Sequence, residues 1–155
     1  MTNPLTYRLA KPEDSRLYFY WANDDAVRTN SFSPGKIDWE CHERWFSKKL
    51  ASNDCYLLIF FAGSDAVGQV RMEGDGDNVL NIDISVDRAW RGKKIGQAVM
   101  AAVREISDKL FPSMRIKGVI QQQNIASLRA FEAAGFVKEE EMVVKNIPCD
   151  VLYLH

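Results

Sequence analysis

Between Asp87 and Met100 the chain reads DRAWRGKKIGQAVM, and within it Arg91, Gly92, Lys93, Lys94, Ile95, Gly96 and Gln97 make a short basic turn with two glycines. Glycines free the backbone for a tight turn, and the helix predicted to follow opens with N–H groups that have no partner inside it. Those groups, the positive end of the helix dipole and nearby cations together bind anions, phosphates above all. The segment is not a Walker A loop, because the Lys-Ser/Thr pair is missing, and GKKIG lacks the glycine triplet of a dinucleotide fingerprint. Read alone, it is equally a tight strand-to-helix turn with a solvated basic rim.

Groups able to move protons lie nearby. In VLNIDISV, Ile82, Ile84 and Val86 alternate with Asn81, Asp83 and Ser85, the period of a strand with one apolar face. That puts the Asp83 carboxylate on the polar face as a candidate base, with Ser85 able to relay a proton through water. His42 is the other candidate, since an imidazole titrates near neutrality. Each also has a plain structural reading: Asp83 as a solvated or ion-paired strand residue, His42 as a half-buried helix histidine. Metal chemistry is not expected. Cys41, Cys55 and Cys149 show no paired spacing, and only His42 and His155 accompany them, which reads as a reduced, cytoplasmic, metal-free protein.

The elements that position these groups follow from patterning. A length of 155 residues suits one domain, 1–155, and 20 basic against 21 acidic side chains give a net charge of −1, with no basic field for nucleic acid. The longest apolar run, CYLLIFFAG, is too short to span a bilayer, and MTNPLTYRLAKPED lacks the pattern of a secretory signal. TYRLA reads as a strand, Pro12 opens a helix through Trp21, and NDDAVRTNSFSPGK is turn-rich loop. A helix from Asp38 to about Leu50 carries Cys41, Trp45 and Phe46 inward. CYLLIFF and AVGQVRME form a hairpin around AGSD. After the basic turn, Ile95, Val99, Val103, Ile106 and Leu110 make one helical stripe, and RIKGVIQQ is the next strand. Asn124 caps a helix that Gly135 ends, with Phe136 folding back onto Phe131 in a Schellman motif. FVKEEEMVV and CDVLYLH close the chain as strands around KNIP. The outcome is an α/β layer fold with a mixed, mostly antiparallel sheet and one strand–helix–strand unit inside it.

With these elements in order, the chain resembles the GNAT superfamily of acetyl-CoA-dependent N-acetyltransferases. Arg91 and Gly96 match its Arg/Gln-x-x-Gly-x-Gly/Ala loop, and Lys94 stands where the first loop glycine is usual. NIASLRAFEAAGF is similar to the family's second motif through Asn124, Ser127, Phe131, Gly135 and Phe136. The resemblance implies a sheet with splayed central strands flanked by helices. It implies a diphosphate against the backbone of Arg91–Gln97, and pantetheine amides bonded to backbone groups of Ile84 and Val86. Asn124 would reach the pantetheine, though it serves equally as a helix cap, and Ser127 and Phe131 would lie beside the coenzyme. Acetyl-CoA is then the co-substrate, attacked directly by a neutral amine. Many members donate a proton to the departing thiolate from a tyrosine at the place of Phe131; phenylalanine cannot, which leaves Ser127, a water, the amine itself or unassisted departure.

The stretch YWANDDAVRTNSFSPGKIDWECHERWF is similar to the branch acting on UDP-linked amino sugars in pseudaminic or other nonulosonic acid synthesis. The matching residues are Trp21, Asn23, Val27, Arg28, Ser31, Ile37, His42, Trp45 and Phe46. That resemblance makes a nucleotide-linked amino sugar the small-molecule partner, its 4-amino group the nucleophile, Arg28 a phosphate ligand, and Trp21, His42 and Trp45 acceptor-binding residues. The plain reading has the aromatics packing helices and Arg28 in a surface ion pair. Two other functions stay open: acetylation of protein N-termini or ribosomal proteins, and a non-catalytic acyl-CoA-binding sensor. A homodimer is compatible with the sequence.

Overall fold

The computed structural model describes residues 5–33 and 35–155. Seven strands form one sheet: β1 (Thr6–Leu9), β2 (Cys55–Ala62), β3 (Asp65–Gly74), β4 (Val79–Val86), β5 (Arg115–Gln121), β6 (Val137–Val144) and β7 (Ile147–Leu154). Their order is β1-β2-β3-β4-β5-β7-β6. Every neighbouring pair is antiparallel except β4 and β5, which are joined through α4 (Ile95–Leu110). The other helices are α1 (Ser15–Ala22), α2 (Asp25–Thr29), α3 (Trp39–Ala51) and α5 (Ile125–Ala133).

Strand alternation divides the core between the two faces of the sheet. On one face Leu58, Phe60, Val70, Met72, Leu80, Ile82, Ile116 and Leu152 pack beneath α4 and α5 through Val99, Met100, Val103, Ile106 and Phe131. On the other, Leu57 and Ile59 meet Tyr18, Trp21 and Phe46 from α1 and α3. The polar members of β3 and β4, including Gln69, Asp83 and Ser85, share this second face.

Four local expectations change. The loop after Trp21 contains α2, because the Asp24 carboxylate accepts from the backbone N–H groups of Ala26 and Val27 and so caps a helical turn. Cys41 is exposed, and its neighbour His42 is the residue turned inward on α3. Leu110 is 61% exposed, because the last turn of α4 runs past the sheet. The β6–β7 hairpin turns tightly on Lys145 and Asn146, both at positive φ, and Pro148 already lies in β7. The end of α5 follows expectation: Phe136 N–H donates to the Phe131 carbonyl, Gly135 N–H to that of Glu132, and the two phenylalanine rings stack 4.9 Å apart.

The irregular feature is the junction of β4 and β5. β3 accompanies β4 as far as Val86, but β5 pairs with it only at Val79↔Arg115, Leu80↔Ile116 and Asn81↔Lys117. Beyond Asn81 the strands part, which is the splay expected of the central strands. At the level where pairing stops, Gly118 carries the Phe131 ring against its Cα: a Cβ there would lie 2.8 Å from ring carbon Cε2. Phe131 is buried and Phe136 stacks on its ring, so making room for a Cβ means moving a packed pair. Gly118→Ala is therefore expected to cost about 1–3 kcal/mol, seen as a melting temperature several degrees lower. A second substitution, Phe131→Leu, should return part of that loss; an unchanged melting temperature for Gly118→Ala would show the ring to be loosely held.

Candidate active site

The basic turn lies at the open end of this gap. Asp87 begins it, one carboxylate oxygen accepting from Ala89 N–H to hold a single 3-10 turn over Arg88–Trp90. Gly92 then takes φ +77° and Lys94 φ +62°, and α4 starts at Ile95. Lys94 thus stands in the left-handed region, which a side chain makes costly. Lysine has kept the conformation for which glycine is usual. The first turn of α4 lies beside the end of β4: a Cβ on Gly96 would find Val86 Cγ2 as its nearest neighbour, at 3.9 Å.

Arg91 does not point freely to solvent. Its Nε donates to the Val86 carbonyl at 3.1 Å, and Nη2 pairs with Asp24 at 2.8 Å. Trp21, 2% exposed, donates its indole N–H to Asp87 at 2.8 Å. Trp21 and Asp24 therefore brace the turn from α1 and α2, and the indole is packed rather than offered to a ligand. Lys93 lies with its ammonium 5.1 Å from the centre of the Trp90 ring. Ile95 and Gly96 are half-buried and Gln97 is exposed.

Along the near bank of the gap, Ile84, Ser85 and Val86 are half-buried and Asp83 is exposed, although β4 is central to the sheet. A central-strand carboxylate reaches water because β5 has moved away. Asp83 has no ion-pair partner among the described residues. Arg71, opposite it in register, turns instead toward Glu73 and over the Trp45 ring. The hydrogen bond to Asp83 comes from Gln69 Nε2, at 3.0 Å, and the same nitrogen donates to Ser85 Oγ at 2.7 Å. On the far bank, Gln121 is 2% exposed and its Nε2 is buried without a partner, as is Gln69 Oε1.

The remaining candidates fall elsewhere. His42 is 2% exposed, held among Phe19, Trp39, Trp45 and Phe46, and its Nε2 donates to the Ser15 carbonyl at 2.8 Å. This is the setting of a structural histidine, and the half-buried reading was too open. Arg28 donates to three backbone carbonyls, Ala22 at 2.8 Å, Ser33 at 2.9 Å and Gly35 at 3.4 Å, so its guanidinium pins the loop after α2 rather than offering itself to a phosphate. Burial lowers its pKa, against which the Asp83 charge acts to raise it. Asn124 spends its side-chain oxygen on Ser127 N–H as a helix cap. Phe131 is core. Sequence reading did not single out Gln69, Gln121, Asp24 or Lys145, whose Nζ donates to Ser33 Oγ at 2.8 Å and joins the β6–β7 turn to the loop after α2. Alternation on β3 does place Gln69 beside Asp83 and Ser85; the other contacts are long-range and left no local trace.

Among the described residues no three His, Cys, Asp or Glu side chains gather as for a metal, and no helix is long and apolar enough to cross a membrane. A family model described as "Acetyltransferase (GNAT) domain" matches residues 5–137. The chain belongs to the GNAT acetyltransferase family. The fold agrees with solved GNAT structures at low identity. AAC(6')-Ib in complex with ribostamycin and coenzyme A superposes with a TM-score of 0.85 at 18% identity, over 97% of this chain and 93% of that one. Spermidine N-acetyltransferase from Vibrio cholerae in complex with CoA and spermine gives 0.86 at 16%, over 97% and 94%. No curated protein matches the chain by sequence. As a GNAT domain it is an acetyl-CoA-dependent N-acetyltransferase, and the parted strands beside a helix N-terminus suit a diphosphate carrying a pantetheine arm.

Two outcomes follow from this geometry. Lys94→Gly relieves a left-handed side chain and should raise stability by about 1 kcal/mol, seen as a higher melting temperature; a lower one would mean that the lysine side chain outweighs its strain. For His42, burial holds the imidazole below its ordinary 6.5, so as pH falls the unfolded chain takes up the proton first. The stability this group contributes is full above pH 6.5 and is lost on acidification. Urea midpoints at about pH 7.5 and pH 5.5 should fall more for the wild type than for His42→Gln, and equal slopes would contradict the assignment.

Proposed function

We propose that residues 1–155 act as one catalytic domain in which Asp83 takes the proton from the acceptor's ammonium at the gap between β4 and β5. The observation that supports this most is an exposed carboxylate on a central strand, bonded to an amide and to no cation, beside the turn that leads into α4. An alkyl ammonium with a pKa near 10 is only about one part in a thousand neutral at pH 7, so the reaction needs such a base. Acetyl-CoA supplies the acetyl group as a thioester. The main-chain amides of Arg91–Gln97 would hold its diphosphate, with Lys93 adding charge; the unladdered edge of β4 at Ile84 and Val86 would receive the pantetheine amides. In place of a tyrosine at Phe131, the hydroxyl of Ser85, bonded to the same Gln69 amide as Asp83, would donate the proton to the departing thiolate. Asp83→Asn should lower kcat by about 100-fold or more while leaving the KM for acetyl-CoA within about twofold. Activity at the wild-type level would remove Asp83 from the mechanism.

The acceptor we infer is a primary amine on a small polar molecule. The solved relatives named above hold ribostamycin and spermine, both amines. The narrower reading, a UDP-linked amino-dideoxy sugar, requires a cation free to meet a diphosphate. Arg28 is engaged by three carbonyls, whereas Lys145 has a neutral hydroxyl as its partner. Lys145→Ala should then raise the KM for a UDP-4-amino sugar at least fivefold more than for a simple amine. Arg28→Ala should impair all acceptors alike and lower the melting temperature, because it frees a loop. A selective effect of Arg28→Ala on the nucleotide sugar would restore Arg28 as the phosphate ligand; no acceptor-selective effect of either variant would set the nucleotide sugar aside.

A further inference from the structure

We propose that Gln69 is a positioning residue that holds Asp83 and Ser85 as one unit and turns the Ser85 hydroxyl proton away from β3. Gln69 is 5% exposed, and register sets it directly opposite Ser85 across β3 and β4. Its Nε2 carries two hydrogens, and both are spent, on Asp83 Oδ2 at 3.0 Å and on Ser85 Oγ at 2.7 Å. The reverse orientation of the amide is excluded on chemical grounds, since Oε1 would then face a carboxylate oxygen. Oε1 therefore points the other way, where it is buried with no partner. A buried carbonyl left unpaired is unfavourable, and the fold tolerates it in order to present both N–H groups to the two β4 side chains.

The consequence lies in Ser85. Its oxygen already accepts from Gln69, so its own hydrogen must go to another acceptor. β5 pairs with β4 no further than Asn81 and Lys117, so Ser85 lies beyond the ladder, on the stretch of β4 that borders the gap. Among the described residues its hydroxyl donates to no acceptor, which leaves the Ser85 proton for a group entering the gap. Asp83 is held at the same time, one oxygen fixed by Gln69. The titratable groups around it are Arg71 opposite in register, with the neutral Tyr18 phenol and the Arg28 guanidinium, which both feel its charge.

This inference rests on Asp83 as the base, and the test separates the two. Gln69→Glu keeps the length but replaces the donor with a second carboxylate, and it should move the acid limb of the kcat/KM pH profile upward by about one unit. Gln69→Met keeps the volume without the donor and should lower kcat about tenfold with the KM for acetyl-CoA unchanged. Circular dichroism and acetyl-CoA affinity verify that each variant folds, and either variant alone suffices. Profiles and kcat matching the wild type in the folded variants, while Asp83→Asn is inactive, overturn the positioning role and leave the base in place. Full activity in Asp83→Asn overturns both.

Discussion

The structure depends on one constraint: backbone N–H and C=O groups in a sheet must find partners, and β4 loses its partner on one side after Asn81. A ladder that stops in the middle of a sheet leaves an edge where none is expected. Here the edge lies next to the first turn of α4, whose N–H groups are also unpaired. Two sets of unmet donors and acceptors thus converge on one place, and a molecule with amides at one end and a diphosphate at the other satisfies both. The gap also leaves Asp83 exposed on a strand that would otherwise be covered.

Holding that opening in shape falls to residues far away in sequence. Trp21 ties α1 to Asp87, Asp24 ties the α2 cap to Arg91, and Arg91 returns to the end of β4 through the Val86 carbonyl. The region that covers the second face of the sheet is therefore mechanically part of the basic turn before α4. Lys145 extends the same frame to the β6–β7 turn. Lys94 and Lys145 are its strained members, both side-chain-bearing residues held at positive φ where the chain turns.

Much of this was legible in the sequence, for identifiable reasons. The strands, the α4 stripe, the Asn124 cap and the Phe131–Gly135–Phe136 ending rest on short-range periods and caps, and they appear as read except that Leu110 leaves the stripe and β7 begins inside the KNIP turn. The parted strands followed from family resemblance, not from local pattern. What sequence could not separate were residues whose types suit both packing and chemistry. Trp21, His42 and Arg28 carry ring and charge fit for a ligand, yet they are used up by Asp87, the Ser15 carbonyl and three loop carbonyls respectively. Those partners are 5 to 66 residues away. Gln69 was missed for the opposite reason, as a polar residue in an apolar strand whose importance lies in what it faces across the sheet.

The central claim, that the α4 N-terminus and the parted strands together hold acetyl-CoA, is tested most directly by calorimetry on the wild type and Gly96→Trp. A Cβ at Gly96 has Val86 Cγ2 at 3.9 Å as its nearest neighbour, so an indole there projects over the end of β4. Binding to the wild type, lost in a variant that melts at nearly the same temperature, is the predicted result. Equal affinity in both proteins would contradict it.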